Sequence, residues 1–340
     1  MIRIARFVLS GEERDPWIAD FFAPEQVDLS RLAAAARGAR VADGVDIVLG
    51  ERPDATVLVF RRGAVTREML DRHRELRLVQ RLGERADDID LAAAADRGVH
   101  VSCMPRRTLH YTAEHALLLM LALAKRLLAA DRSVREGGYD LVRVRPQDDV
   151  AYNWPGFTDA SGLYGKTLGI VGLGEVGTLV ARLARAFGMR VIYHQRRRAS
   201  PAQEAALGCA YATPAELLAR SDFVSLHAAN LPENDRLANA AFFAGMKPTA
   251  FFINMSRGRL VDEDALYAAL VARAIAGAGL DVHRVEPRPA HDRFAALPNV
   301  VLTPHIGGGA RSGVLDELEV LLGNCASALR GEPPRHEVRA

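Results

Sequence analysis

The chain has 340 residues, a length that predicts two domains at about 150 residues each. A hydrophobic fraction of 49% and a charged fraction of 25% are ordinary for globular proteins, so disorder and a fibrous fold are excluded. The 44 basic residues nearly balance the 42 acidic ones, and the net charge of +2 excludes a general nucleic-acid or polyanion scaffold. Only three of the basic residues are lysines, and the default explanation of the arginine excess is codon bias in a GC-rich genome.

The three cysteines indicate neither a metal site nor a disulfide framework, because Cys103, Cys209 and Cys325 lie far apart and are odd in number. A reduced, cytoplasmic location is therefore predicted. The apolar run at the N-terminus is too short for a signal peptide. The longest apolar run, Ala116 to Ala124, is about half the length of a membrane span, so no membrane segment is predicted.

The first third of the chain alternates strand-like and helix-like segments. Apolar runs of strand length lie at Ile2–Leu9, Val45–Leu49, Thr56–Phe60, Leu76–Gln80 and Val99–Cys103. Helical segments are predicted between them at Thr66–His73 and Ile89–Arg97. Such alternation predicts an α/β fold, in which helices cover the faces of a parallel sheet.

A long helix is predicted over Thr112–Ala130. Its apolar residues occupy most of the circumference, so we expect burial on several sides, with a second subunit as one candidate partner. Residues 137–162 are rich in Gly, Pro and Asp and lack periodicity, which predicts a loop. A second alternating block runs from Lys166 to about Leu302, and a final helix is predicted over Ser312–Leu329.

A glycine-rich motif opens the second block, between an apolar strand and an alanine-rich helix. Gly172 would allow a tight turn, Gly174 would let the backbone approach a pyrophosphate at the helix N-terminus, and Gly177 would allow close packing of helix on strand. The other residues predicted to contact the coenzyme in this loop are Leu173, Glu175 and Val176. The alternative is a glycine-rich turn without a ligand, which this context disfavours.

The next strand ends at Gln195, and three arginines follow it. NAD-binding folds usually have an acidic residue here, which accepts a hydrogen bond from the ribose 2′-hydroxyl. Gln195 would not repel a 2′-phosphate, and Arg196 and Arg197 would donate charge-assisted hydrogen bonds to it. We therefore predict NADP in preference to NAD. The alternative is that the arginines only face solvent.

Three downstream motifs place polar residues directly after apolar strands, where ligands bind in open α/β sheets. They are Asn254-Met255-Ser256-Arg257-Gly258, the stretch from Gly279-Leu280-Asp281 to Glu286-Pro287, and Thr303-Pro304-His305-Ile306-Gly307. With the glycine-rich motif before them, the chain resembles the D-isomer-specific 2-hydroxyacid dehydrogenase family. The motifs that carry the resemblance extend from about Leu76 to Gly308. Judged by chain length, the resemblance reaches both ends of the chain.

The resemblance implies two Rossmann-like, doubly wound parallel-sheet domains with an active-site cleft between them. Residues 1–108 and 304–340 would form a flavodoxin-like substrate-binding domain, and residues 109–303 the dinucleotide-binding Rossmann domain. The helix after Thr112 resembles the dimerisation element of the family, so a homodimer is expected. The partners expected are a small 2-oxo or 2-hydroxy acid, without nucleic acid or membrane.

The resemblance also implies catalytic roles. His305 would be the general acid that protonates the carbonyl oxygen, and Glu286 would pair with it to keep the imidazolium available. Arg257 would hold the substrate carboxylate and polarise the carbonyl. Asp281 would lie near the nicotinamide amide, and His227 would line the coenzyme site. Further predicted coenzyme contacts are Ala228, Met255, Ser256 and Gly307.

The predicted substrate loop departs from the family pattern Gly-x-Gly-x-Asp-Asn-Ile-Asp. It reads Leu82-Gly83-Glu84-Arg85-Ala86-Asp87-Asp88-Ile89-Asp90. Arg85 stands where a glycine usually lets backbone N–H groups approach the carboxylate, Arg106 stands where glycine is also common, and Asp88 replaces an asparagine. One hypothesis is that Arg85, Arg106 or Arg107 reaches a second acidic group of the substrate. The interpretation we favour is that they face solvent or pair with Glu84 and Asp87.

The predicted function is the NADPH-dependent reduction of a small 2-oxo acid, such as glyoxylate or hydroxypyruvate, to the D-2-hydroxy acid. One alternative is a dehydrogenase of a phosphorylated or dicarboxylic 2-hydroxy acid. Another is a catalytically weak, nucleotide-sensing protein like the corepressors of this fold. The resemblance to formate dehydrogenases is disfavoured because Glu286 stands where that branch has a glutamine. The resemblance to phosphite dehydrogenase is disfavoured because Glu84 stands where that enzyme has a lysine. The histidines without such context are interpreted as ordinary: His73, His100, His110, His194, His283, His291 and His336.

Overall fold

The computed structural model describes residues 2–6, 45–49, 55–60, 63–137, 153, 155–289, 291–309 and 311–340. The chain forms two compact units, one of Met1–Thr108 with Gly309–Ala340 and the other of Leu109–Gly308. Each unit is built on one parallel sheet, so the predicted α/β class is confirmed. That the first unit binds substrate and the second the coenzyme stays a prediction.

The first unit holds a five-stranded sheet in the order β2-β1-β3-β4-β5, with every neighbouring pair parallel. Its strands are β1 (Ile2–Arg6), β2 (Val45–Leu49), β3 (Val57–Phe60), β4 (Leu78–Leu82) and β5 (His100–Met104). Its short helices are α1 (Arg67–Arg72) and α2 (Leu91–Asp96). Thr66 and Asp90 cap these helices by accepting from backbone N–H groups, which explains where each helix begins.

A buried polar cluster joins the C-terminal helix, Arg311–Leu329, to this sheet. The Asn324 side-chain amide donates to Gln80 Oε1 over 2.7 Å and to Ser102 Oγ over 3.0 Å. Its oxygen accepts from the backbone N–H of Arg335 over 2.8 Å. Because these side chains are almost fully buried, their mutual hydrogen bonds offset the cost of removing them from water.

The prediction of one long helix over Thr112–Ala130 is wrong, because the structure has two helices in this region. α3 spans Arg107–Ala124 and α4 spans Leu127–Glu136. Arg126 between them is left-handed, with φ 54°, which interrupts the i→i−4 hydrogen-bond ladder. Neither glycine nor proline marks this position, so composition carried no signal of the break. None of the helices in the described ranges combines the length and apolarity that crossing a bilayer requires.

The second unit holds a seven-stranded parallel sheet in the order β12-β11-β10-β9-β6-β7-β8. Its strands are β6 (Thr167–Val171), β7 (Arg190–His194), β8 (Cys209–Tyr211), β9 (Phe223–Leu226), β10 (Phe251–Asn254), β11 (Gly277–Leu280) and β12 (Val300–Leu302). Its further helices are α5 (Glu175–Ala186), α6 (Pro201–Leu207), α7 (Pro214–Arg220), α8 (Ala240–Ala244) and α9 (Glu263–Val271). Alternate strand residues enter two hydrophobic clusters, one on each face of the sheet.

The carboxyl ends of five strands are in register. Val171 of β6 pairs with Leu226 of β9, which pairs with Asn254 of β10. Asn254 pairs with Leu280 of β11, which pairs with Leu302 of β12. The residues that immediately follow these strands therefore share one edge of the sheet: Gly172, His227, Met255, Asp281 and Thr303.

The loop predicted over residues 137–162 falls largely outside the described residues, which omit 138–152 and 154. Its described part, 137, 153 and 155–162, contains neither helix nor strand.

Candidate active site

The glycine-rich loop is shaped by close backbone contacts. Gly172 has φ +98°, and a Cβ there would lie 2.8 Å from the backbone of His227 and Ala228. A Cβ on Gly177 would lie 2.2 Å from the carbonyl oxygen of Gly172, so α5 packs directly on the turn. A Cβ on Gly174 would meet nothing within 4 Å. Gly174 caps α5 without a side-chain hydrogen bond, which leaves N–H groups at the helix start for an anion.

Three buried polar atoms near this loop have no hydrogen-bond partner among the described residues: His227 Nδ1, Thr178 Oγ1 and Asn230 Oδ1. Thr178 lies on the first turn of α5, and the other two follow β9. Unpaired buried polar atoms are costly in a protein alone, so they indicate a polar ligand. Together with the open helix N-terminus, they fit a dinucleotide coenzyme.

His227 is neutral at this edge of the sheet. Burial lowers the pKa of His227 to about 4, and its Nε2 is hydrogen-bonded to Ser225 Oγ over 2.8 Å. Leu173 of the glycine-rich loop is fully buried in the core, and Val176 packs against the same cluster. These two residues therefore offer a ligand their backbone rather than their side chains.

Of the residues that follow β7, some side chains pair with acidic residues of the protein and others are exposed to solvent. Arg198 donates two 2.8 Å hydrogen bonds to Glu204, which also accepts from Tyr193 Oη. The hydrogen bonds from Arg198 and then Tyr193 lower the pKa of Glu204 to about 2. Arg196 is exposed and donates to Glu233 over 3.0 Å. Exposed Arg197 and half-buried Gln195 make no side-chain contact of this kind within the described ranges.

The loop after β10 is fixed by Asn254, a residue that motif analysis did not single out. Its side chain accepts from the N–H of Ser256 over 3.0 Å and donates to the carbonyl of Arg257 over 3.2 Å. Ser256 Oγ donates to the carbonyl of Ala228 over 2.5 Å, which joins this loop to the loop after β9. Arg257 is half-buried, and its guanidinium donates to the carbonyl of Ser256 over 2.7 Å.

Asp281 holds the turn that carries His305. One carboxylate oxygen accepts from Thr303 Oγ1 over 2.6 Å and from the N–H of Ile306 over 3.0 Å. The other oxygen accepts from the N–H of Gly307 over 2.8 Å. A Cβ on Gly307 would lie 2.5 Å from Met255 Cε and 2.7 Å from Asp281 Oδ2, so a larger residue would displace these side chains. Asp281 is 1% exposed, and both of its oxygens accept hydrogen bonds from the loop after β12.

His305 and Glu286 form a hydrogen-bonded dyad. His305 Nδ1 donates to Glu286 Oε2 over 2.7 Å, and Glu286 Oε1 accepts from the N–H of His283 over 2.8 Å. Partial burial acts to raise the pKa of Glu286, but these hydrogen bonds outweigh it and lower that pKa. His305 has φ 55°, and its side chain is 43% exposed. The dyad therefore combines an ionised carboxylate with an imidazole that solvent or substrate can reach.

The predicted substrate loop, Gly83, Glu84 and Arg85, lies in the first unit, after β4. Arg85 donates to Asp87 over 2.9 Å through Nε. Buried Arg81 binds both oxygens of Asp88, which explains why an aspartate suits this position in place of the family's asparagine.

The two other arginines considered for substrate binding are also paired. Arg106 is buried and donates to Glu317 over 3.1 Å, and exposed Arg107 donates to Asp316 over 3.2 Å. The exposure of Arg107 agrees with the interpretation that these arginines face solvent or pair with Glu84 and Asp87. The ion pairs of Arg106 and Arg107 described here are instead with acidic residues of the C-terminal helix.

Comparison with known proteins assigns the family. Residues 117–307 match the model of the D-isomer specific 2-hydroxyacid dehydrogenase, NAD binding domain. A glyoxylate reductase of Korarchaeum cryptofilum is 38% identical over 267 residues, 78% of this chain and 77% of the relative. A glyoxylate reductase of Thermococcus kodakarensis is 36% identical over 316 residues, 92% of this chain and 87% of the relative. The chain belongs to the D-isomer specific 2-hydroxyacid dehydrogenase family.

A solved structure is similar in fold over nearly the whole chain. The crystal structure of the TT0316 protein from Thermus thermophilus has a TM-score of 0.58 and 31% identity, and the match covers 99% of this chain and 100% of that one. The structure adds contacts of residues to which the motifs assigned no role: Asn254, His283, Thr303 and His115. A polar residue that ends a buried strand was an available signal for Asn254, whereas His283 carried none.

Proposed function

We propose that this protein is a reductase of small 2-oxo acids that uses a nicotinamide dinucleotide and forms D-2-hydroxy acids. The observation that carries the proposal is the His305–Glu286 dyad, which lies on the same sheet edge as the glycine-rich loop. Relatives named glyoxylate reductase, similar over most of both chains, support a small 2-oxo acid as the substrate.

The chain's own residues supply the proton and the substrate contacts, and the coenzyme, when bound, supplies the hydride. Gly172, Gly174 and Gly177, with the start of α5, would hold its pyrophosphate. Glu286 holds Nδ1 of His305, so Nε2 is the atom that passes a proton to the carbonyl oxygen. Arg257 would bind the substrate carboxylate through charge-assisted hydrogen bonds.

The reductase assay is the direct test of this function. Purified protein should oxidise NADPH or NADH in the presence of glyoxylate or hydroxypyruvate, and chiral analysis should find the D product where the product is chiral. Dicarboxylic and phosphorylated 2-oxo acids test the alternative substrate classes. Tight coenzyme binding without turnover of any acid would contradict the proposal and favour a nucleotide sensor.

NADP is the coenzyme we propose, because Gln195 carries no charge to repel a 2′-phosphate and Arg196 and Arg197 lie next to it. We expect kcat/KM to be higher with NADPH than with NADH. Gln195→Asp should lower the NADPH-to-NADH ratio by about tenfold or more, because a carboxylate repels the phosphate and accepts from a 2′-hydroxyl. Arg198→Gln is a matched control, since Arg198 is engaged by Glu204. A wild-type preference for NADH would refute the assignment.

Replacing Glu286 should change the pH dependence. For Glu286→Gln, we expect kcat at neutral pH to fall about tenfold to a hundredfold, with the greatest loss at alkaline pH, because no carboxylate holds the proton on His305. Because the pKa of Glu286 is lowered in the fold, ionised Glu286 stabilises the protein above the ordinary glutamate range. That stabilisation disappears as the pH falls through the lowered pKa.

Kinetic and melting profiles against pH measure both effects. On acidification, the free energy of unfolding of the variant should fall less than that of the wild-type protein, because the contribution of ionised Glu286 is already absent. Profiles identical to those of the wild-type protein would show that Glu286 neither holds the proton nor contributes to stability.

A homodimer in the cytoplasm is proposed from exposed apolar side chains and from the state of the cysteines. α3 and α4 expose large apolar side chains, namely Leu118, Leu127, Leu128 and Val134, which a second subunit would cover. The three cysteines are buried and form no disulfide, as suits a reducing compartment. Sedimentation should give twice the mass of one chain, and Leu128→Glu should shift the equilibrium toward single chains. A monomeric wild-type protein would refute the dimer.

A further inference from the structure

We propose that His283 and Arg288 are positioning residues for the His305–Glu286 dyad, an inference that rests on the proposed reductase function. The motifs assign no catalytic role to His283, and the proposed reaction uses neither residue. His283 is buried at 8% exposed, and the Arg288 side chain is mostly buried at 13% exposed. A buried imidazole next to a buried guanidinium is an expensive arrangement unless each group has specific partners.

The partners of His283 determine its protonation. Nδ1 of His283 lies 3.0 Å from Nε of Arg288, and its Nε2 lies 2.8 Å from the carbonyl oxygen of Thr303. An arginine only donates and a carbonyl only accepts, so Nδ1 is the acceptor and Nε2 carries the hydrogen. His283 is therefore held as one neutral tautomer, with the ring plane set by contacts at both nitrogens.

Arg288 is fixed from every side. Its Nη2 donates to Glu263 Oε1 over 2.7 Å, and its Nη1 donates to Asp292. The guanidinium carbon lies 4.8 Å from the centroid of the Phe294 ring. Two carboxylates balance its charge and the aromatic face supports it, so Arg288 is a rigid support for His283.

His283 in turn contacts the segments that carry all three candidate catalytic residues. Its backbone N–H donates to Glu286 Oε1 over 2.8 Å. Its ring holds Thr303, two residues before His305. Its carbonyl carbon would lie 2.0 Å from a Cβ on Gly258, the residue after Arg257. A displacement of His283 would therefore move the dyad, and displacements of about 1 Å in an active site cost about a hundredfold in rate.

Arg288→Met and His283→Phe remove the side-chain hydrogen bonds of these residues but retain much of the buried volume. We expect kcat for reduction to fall about tenfold or more, while the Kd of the coenzyme stays within about twofold. The matched control is Arg293→Met. Arg293 pairs with Asp264 and lies 5.6 Å from the same Phe294 ring, but its ion pair is on the solvent side and it does not reach His283. It should leave kcat unchanged.

A double-mutant cycle tests whether the effect passes through the dyad. In the His305→Asn background, Arg288→Met should lower kcat by less than about threefold, because the imidazole that is positioned is already gone. A full multiplicative loss would instead mean that Arg288 acts elsewhere and would overturn the proposal.

Nitrogen-15 NMR gives a readout that does not need turnover. Arg288→Met and His283→Phe should shift the Nδ1 resonance of His305, and Arg293→Met should leave it in place. Folded variants with unchanged kcat and an unchanged His305 resonance would overturn the proposal. A wild-type protein without turnover, whose His305 resonance still responds to Arg288→Met, would refute the reductase function and leave the positioning role standing.

Discussion

The His305→Asn variant should lose about a thousandfold in kcat for reduction while it binds the coenzyme as tightly as the wild-type protein. Asparagine is the replacement of choice because His305 has φ 55°, a left-handed conformation that asparagine adopts with little strain. The backbone of the turn, held by Asp281, should therefore persist. What disappears is the imidazole that takes Glu286 as its partner and that, in the proposed reaction, gives a proton to the substrate.

Steady-state kinetics and coenzyme titration measure the two halves of this expectation. His291→Asn is a matched control, since His291 is also exposed and left-handed, with φ 62°. That variant should keep its kcat. Turnover of His305→Asn within a few-fold of the wild-type rate would remove His305 from proton transfer.

The Arg257→Gln variant should lose about a thousandfold in kcat/KM for the 2-oxo acid, because a neutral amide cannot replace a charge-assisted fork that binds the carboxylate and stabilises developing negative charge. Both parameters should change, with KM raised by weaker binding and kcat lowered by poorer stabilisation of the transition state. Arg257→Lys retains the charge without the planar fork, so we expect it to recover only part of the loss.

Arg259→Gln provides the comparison for Arg257. Arg259 lies two residues further on, is exposed and pairs with Asp235. Its replacement should leave kcat/KM unchanged. If Arg257→Gln raised KM for the coenzyme but not for the acid, Arg257 would belong to the coenzyme site instead.

The α/β class and most element positions could be predicted from the sequence. Parallel strands buried on both faces consist of short runs of apolar residues, and such runs are recognisable in the sequence. β2 was predicted with its observed bounds, and the other predicted strands of the first unit overlap those observed. The helix break at Arg126 was missed, since a left-handed residue between two apolar segments changes no periodicity. Local pattern therefore determined the elements but not every boundary.

The order of the site motifs could also be predicted, because each motif directly follows an apolar strand and in-register parallel strands bring such residues to one edge. The partners of individual side chains could not. Arg106 binds Glu317 at the far end of the chain, and Asp281 accepts a hydrogen bond from the N–H of Gly307, 26 residues further along. The identity of a partner depends on packing between segments distant in sequence.

The arginine excess also shows which properties the sequence determines and which depend on the tertiary structure. Length, composition and motif spacing by themselves determined that this is a globular α/β chain with a dinucleotide motif and that its charge balance does not suit a polyanion scaffold. Only the tertiary structure decided which arginines are engaged: Arg106 in a buried pair, Arg198 with Glu204, and Arg288 behind the catalytic dyad. The physical reason is that composition counts charges, whereas burial and distance determine which charges neutralise one another and which are left for a ligand.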